Sequence, residues 1–218
     1  MRSQVLIVAA PGRYPRIEAS GAIAVRHTAS DTLHLVSAAA TPLGGDHTRI
    51  RVVVEPGALL RIRSVAAAVT LPGRHSRDSH TRFDLEVAGD LNLDPEPTIV
   101  AADSRHFSDI RVRLADGARI ALRERVQIGR TGERDGFFSG SLTADLDDGP
   151  LLRHRVELGA GSIADDALGS PRALISEFGY PDVAEAPLGM ALTLAHGGVL
   201  STWQGDRLPA QPSNPPLR

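Results

Sequence analysis

Residues 33–63, LHLVSAAATPLGGDHTRIRVVVEPGALLRIR, decide how this chain folds. Ile50, Val52 and Val54 alternate with Arg51, Val53 and Glu55, the period of two expected of a strand buried on one face. Pro56-Gly57 then turns the chain, and Leu60 and Ile62 carry a second strand. Ahead of the pair stands a corner, Thr41-Pro42-Leu43-Gly44-Gly45-Asp46. Proline fixes one φ angle there, and either glycine can take φ > 0. Gly44 and Gly45 therefore predict a sharp reversal that leaves the Asp46 carboxylate beside free amides.

The same strand–turn–strand pattern recurs outward from this stretch. Phe83, Leu85 and Val87 lead to Gly89-Asp90 and then Leu91 and Leu93. Ile110, Val112 and Leu114 lead to Asp116-Gly117 and then Ile120 and Leu122. Gly57, Gly89 and Gly117 fall about thirty residues apart, in the range of stacked repeat architectures. A unit that buries one face alone must stack on its neighbours to build a core. The expected fold is all-β: stacked strand pairs in a helical arrangement, with the three glycines at equivalent turns and one or two short helices.

Flanking segments read in the same way. Gln4–Ala9 and Arg16–Arg26, the latter broken at Ser20-Gly21, are opening strands. Ser141–Leu146 and Leu151–Leu158 form a hairpin around Asp147-Asp148-Gly149-Pro150. Ser170-Pro171 has the form of a helix start and predicts a short helix to about Phe178. Gly179-Tyr180-Pro181 stops it, and His196-Gly197-Gly198 makes a further hairpin. Residues 1–207 read as a single domain, and 208–218 as a Pro-rich disordered tail.

Composition narrows the chemistry. The 218 residues are 42% hydrophobic but only 4% aromatic, so the core is aliphatic. A net charge of −2 argues against a nucleic-acid partner. There is no cysteine, which removes thiolate nucleophiles, disulfides and Cys-based metal sites. Every basic residue is arginine, so Schiff-base and Walker-type lysine chemistry is absent as well. The apolar run Val5–Ala10 is too short for a secretory segment, nothing approaches a membrane span, and a cytoplasmic protein is expected.

Nucleophile elbows, dinucleotide fingerprints and H-E-x-x-H motifs are missing. His75 and His80, flanking Arg77, read as part of a solvated loop, and Asp103/His106 is the other close grouping. Glu124 is more pointed. It shares parity with Ile120 and Leu122, so its carboxylate points with the apolar face. A buried carboxylate must be paired, protonated or ligated. His154 likewise shares parity with Leu152, Val156 and Leu158. Glu133 ends a strand with Arg130 as its salt-bridge partner. Asp46 is either a turn carboxylate capping its own backbone or one displayed for function.

The corner-and-strand stretch, Glu96-Pro97-Thr98-Ile99, RERVQIGRTGE and GPLLRHRVEL, taken in order, resemble the urease accessory proteins of the UreD/UreH type. The resemblance runs over roughly residues 16–158. It implies a non-enzymatic scaffold and nickel conduit linking a UreF-type accessory protein, a UreG-type GTPase and the urease apoprotein. It implies no permanently bound cofactor, only nickel in transit. Asp46 then takes the place of the family motif's aspartate, Glu124 an acidic strand position, and Glu133 the Gly-Glu. With His154, Asp46 and Glu124 are the expected lining of a nickel passage. Two departures stand out: Ala67-Ala68-Val69-Thr70 lacks the family's lysine and tyrosine, and His154 stands where a glutamate is expected. Two other classes remain open, a β-scaffold ligand-binding module and a metal-dependent hydrolase. Sparse aromatics count against a sugar-binding version of the first, and the absence of a His-rich cluster against the second.

Overall fold

Alternating sequence becomes paired strand almost throughout. The computed structural model describes residues 1–163, 165, 170–181 and 188–210. Its strands are β1 (Arg2–Ala9), β2 (Arg16–Ser20), β3 (Ile23–Ala29), β4 (Thr32–Ser37), β5 (His47–Val54), β6 (Leu59–Ser64), β7 (Ala68–Thr70), β8 (Asp78–Val87) and β9 (Asp90–Leu93). They continue as β10 (Thr98–Val100), β11 (Arg105–Leu114), β12 (Arg119–Ile128), β13 (Phe137–Leu146), β14 (Gly149–Gly159), β15 (Ala173–Tyr180), β16 (Met190–Thr193) and β17 (Val199–Gly205). The first sheet runs β14-β13-β11-β8-β5-β1-β2. The second runs β16-β17-β15-β12-β9-β6-β4-β3, with β10 joined to β12 and β7.

The three repeats stack, but each is an arch rather than a hairpin. Strands β5, β8 and β11 pair in parallel in the first sheet, while β6, β9 and β12 pair in parallel in the second. Each turn therefore crosses between sheets, and each strand bonds to its counterpart in the next unit. Register makes the turns equivalent, with one correction. Val54, Val87 and Leu114 align, as do Leu59, Asp90 and Arg119. Gly57 and Gly117 consequently share one position, with φ of 75° and 73°. The middle turn is shorter, and Gly89 aligns with Ala58 and Ala118. Its reason is close approach: a Cβ on Gly89 would stand 2.4 Å from the Ala58 carbonyl oxygen.

In-register stacking sorts the interior into rows. Val5, Ile50, Phe83, Ile110 and Leu142 form one, and Ile7, Val52, Leu85, Val112 and Ala144 the next. Facing them across the sandwich is the row Leu33, Ile62, Leu93, Leu122, Phe178 and Leu200. These side chains pack into one buried aliphatic core. At about 25 cal/mol per Å² of apolar surface removed from water, such rows are the main source of stability.

The helix predicted after Ser170-Pro171 is instead β15, and the described elements contain no helix. Strand β15 is bonded on both sides, to β12 and β17, with Ala173, Leu174 and Phe178 buried. That tertiary pairing overrides the local start signal. The hairpins β13–β14 and β16–β17 match their turn residues. Of the Pro-rich tail, residues 211–218 lie outside the described residues. No helix among the described residues is long and apolar enough to cross a membrane.

One interruption positions the site. Strand β6 stops at Ser64 and β7 resumes at Ala68; β9 stops at Leu93 and β10 resumes at Thr98. Strand β12 runs unbroken past both gaps, pairing Leu122 with Leu93 and Val126 with Thr98. Beside residues 123–125 the second sheet thus has a window.

The two kinds of turn glycine separate by substitution. Gly57→Ala meets open space and bears only the left-handed backbone cost, about 1 kcal/mol. Gly89→Ala drives a methyl into backbone and should lose about 3 kcal/mol. Urea unfolding of the two variants checks this, and equal losses would contradict the arch geometry.

Candidate functional site

The chemistry lies where the interior rows turn polar. Beyond the apolar rows of the first sheet come Ser3, Thr48, Thr81, Ser108 and Gly140, in register on five adjacent strands. One step further, Ser79 aligns with His106, and Asp46 immediately precedes His47, the partner of His80. Strand alternation carries these groups inward as it carries the leucines. Across from them, β12 contributes Glu124. A cavity of about 230 Å³ lies between the sheets, touched by Thr41, Thr48, Thr81, His106, Ser108 and Glu124, and by Ser64–Ala68, Pro95 and Glu96 at the window.

Glu124 reaches across this space. The Ser108 hydroxyl donates to its Oε1 at 2.6 Å. Gly140 makes room beneath: a Cβ there would stand 3.2 Å from Glu124 Oε2 and 2.8 Å from the Phe138 ring. The residue is half-buried, with its carboxyl bordering the cavity's free space. Burial pushes its pKa up, against a smaller downward pull from Ser108. Among the described residues it has no basic partner. Its sequence neighbours are engaged elsewhere. Arg123 contacts Glu177 at 2.6 Å and Asp94 at 3.3 Å, while Arg125 contacts Asp94 at 2.9 Å and donates to the Pro95 carbonyl at 2.6 Å. Both arginines therefore brace the chain segment at the window instead of neutralising Glu124.

Asp46 adjoins the cavity without lining it. Its carboxylate accepts from the Leu43 amide at 2.9 Å and the Thr41 hydroxyl at 3.0 Å, and lies 2.6 Å from the amino group of Met1. Burial opposes its ionisation, and these three donors together outweigh it and lower its pKa. The corner is built as its glycines require. Gly45 has φ of 92°, whereas a Cβ on Gly44 would lie 1.8 Å from the Ser76 carbonyl oxygen. Asp46 thus caps its own turn, and through Thr41 it holds one cavity wall.

His154 is not brought to the same place. It sits on the edge strand β14 opposite Leu142, with Nε2 buried and without a hydrogen-bond partner, and burial lowers its pKa. The described cavity does not reach it. Glu133 is occupied locally: it pairs with the Arg130 guanidinium and accepts from the Arg130 and Ala102 amides, each at 3.0 Å. The Arg130 guanidinium, followed by the two amides, holds its pKa down at about 2. Among the described residues, no three His, Asp or Glu side chains are grouped to hold a metal.

His106 is the residue that sequence reading missed. It is 3% exposed, shares a hydrogen bond of 2.9 Å between Nδ1 and Ser79 Oγ, and stacks on Phe138. Burial first, and His80 second, lower its pKa to about 4. Its grouping with Asp103 dissolves, because Asp103 turns out towards Arg77. The available signal was parity: His106 alternates with Ser108 and Ile110 on the inward face. His80, read as loop, belongs to β8 and faces outward.

Residues 17–176 match the family model described as UreD urease accessory protein. The chain is 38% identical over 182 residues to urease accessory protein UreD 1 of Saccharopolyspora erythraea, covering 81% of this chain and 68% of that one. Over 194 residues it is 37% identical to urease accessory protein UreD of Frankia casuarinae, covering 80% and 61%. Over 146 residues it is 42% identical to its namesake in Frankia alni, covering 59% and 49%. The chain thus spans about half to two thirds of the length of these relatives.

Glu124 and His106 impose opposite slopes on stability. The folded Glu124 carboxyl titrates above its ordinary 4.5, so the unfolded chain releases that proton first, and stability falls as pH rises from 4.5. Glu124→Gln removes this slope and should gain on the wild type as pH rises. For His106 the unfolded chain takes up its proton first, so stability is lost as pH falls from 6.5 towards about 4. His106→Gln should flatten that loss. Urea titrations across this range measure both, and unchanged slopes would show that neither group is buried as described.

Proposed function

Because the chain belongs to the UreD urease accessory protein family, we propose that it acts in urease maturation as a scaffold and as a passage for nickel. It joins a UreF-type accessory protein and a UreG-type GTPase to the urease apoprotein in the cytoplasm, and catalyses no reaction of its own. Nickel is cargo in this reading and no metal is permanently held.

The observation that carries the passage is Glu124, a carboxyl without a basic partner among the described residues, beside a cavity that opens through a break in its own sheet. Burying such a group costs several kcal/mol unless something compensates it. A divalent cation passing the cavity supplies that compensation, with the Thr48, Thr81 and Ser108 hydroxyls as additional hard oxygen donors. Oxygen ligands of this kind hold nickel briefly, whereas thiolates would retain it, and the chain has none. Among the described residues too few anionic groups converge here for a resident site, which suits transit. Asp46 supports the wall through Thr41. His154 stands apart from this route and is a ligand only if the passage extends towards the edge strand.

The test is maturation of urease with the whole accessory set, using Glu124→Ala and Glu124→Gln. Both variants should fold and enter the accessory complex in a pull-down, while nickel content and activity of the matured urease fall. Full activation by both would remove Glu124 from the path. Loss of the complex itself would assign the residue to structure.

A further inference from the structure

The outward side of the polar row carries a second feature that the passage does not use. His47 of β5 and His80 of β8 are register partners on parallel strands and project from the same face of the first sheet. Their rings lie 4.7 Å apart at an interplanar angle of 7°. Neither imidazole makes a side-chain hydrogen bond among the described residues. Behind His80 the row continues as Phe107 at 5.0 Å, whose ring also lies 6.0 Å from Phe137, and the Arg105 guanidinium is 4.9 Å from the Phe137 ring centre. His80 thus has a fixed rear wall. His47, itself exposed, lies between His80 and its register partner Arg2 on β1, whose side chain is exposed as well, so the ring can tilt without disturbing a packed neighbour.

We propose that His47 and His80 form an open, two-imidazole site for a divalent transition-metal ion on the outer face of the first sheet. Neutral imidazole is the preferred nitrogen ligand for nickel, copper and zinc, at roughly 2.1 Å from zinc. Two of them on adjacent parallel strands can meet one ion when the stack opens at His47. The cations on this face leave room for it: Arg2, the register partner of His47, is exposed and can swing into solvent. Arg49 and Arg82 are both drawn to Asp84, each through Nε at 2.7 Å. Among the described residues no third His, Asp or Glu completes the set, so the remaining positions are left to water or to a side chain of a docked protein. A half-built site of this kind takes up metal and gives it away. The identity of the physiological ion as nickel rests on the maturation role proposed above; metal binding at the pair does not.

Calorimetric titration of the untagged full chain with Ni²⁺ at neutral pH tests the site, comparing wild type with His47→Gln, His80→Gln and Glu124→Gln. One saturable equivalent is expected for wild type and for Glu124→Gln, and loss of it in either histidine variant whose circular dichroism is unchanged. The wild type alone gives a second reading: paramagnetic Ni²⁺ should broaden the His47 and His80 ring resonances before those of the other histidines. Absence of saturable binding, binding by both histidine variants like wild type, or broadening centred elsewhere overturns the site. The Glu124 variant keeps the two proposals separate, since failed urease activation with intact titration leaves this one standing.

Discussion

In-register parallel pairing between successive arches is the constraint on which the structure depends. When β5, β8 and β11 align without slip, each inward position becomes a row that runs across the sheet. A slip of one residue would turn every row over. The aliphatic rows are self-consistent: Val52, Leu85 and Val112 repeat one chemistry, and the facing row of the second sheet closes over them. The same rule governs the polar row. Thr48, Thr81 and Ser108 are internal because they sit on the parity of Ile50, Phe83 and Ile110. Fold and candidate site are thus one pattern read at different distances along the strands.

Much of this pattern is legible in the sequence. Alternation in residues 50–54, 83–87 and 110–114 marks the strands, and the spacing of Gly57, Gly89 and Gly117 marks the stack. Alternation cannot say whether a turn closes a hairpin or crosses between sheets, because both present the same residues to the core. In sequence an arch therefore reads as a strand pair. Gly89 shows a related limit: a glycine needed for backbone approach looks the same in sequence as one needed for positive φ. Around Ser170-Pro171 a local start signal lost to pairing on both sides of β15.

The site was legible to the same depth. Parity directs Glu124 towards the core, and the flanking arginines turn to other carboxylates. Parity also applied to His106, but a histidine among serines gives no apolar run to notice. Asp46 sits at the corner that its motif predicts, and its partners are its own turn amide and hydroxyl. His154 shares inward parity too, yet parity fixes only the face. Position along the sheet decides what a side chain meets, and β14 lies at the edge.

The cost of Glu124 gives the last step of the argument. A glutamine or leucine at this position would spare the chain the burial of a carboxyl, and the aliphatic rows around it show that the fold readily supplies apolar packing. Gly140 keeps the opposite strand bare beneath its side chain, at the expense of a weaker strand position. The window in the second sheet interrupts two further strands at the same level. Three separate sacrifices of β-sheet stability therefore converge on one carboxyl and the space before it. Packing alone does not favour any of them, whereas the proposed passage of a cation requires all three: an acid, room around it and an opening.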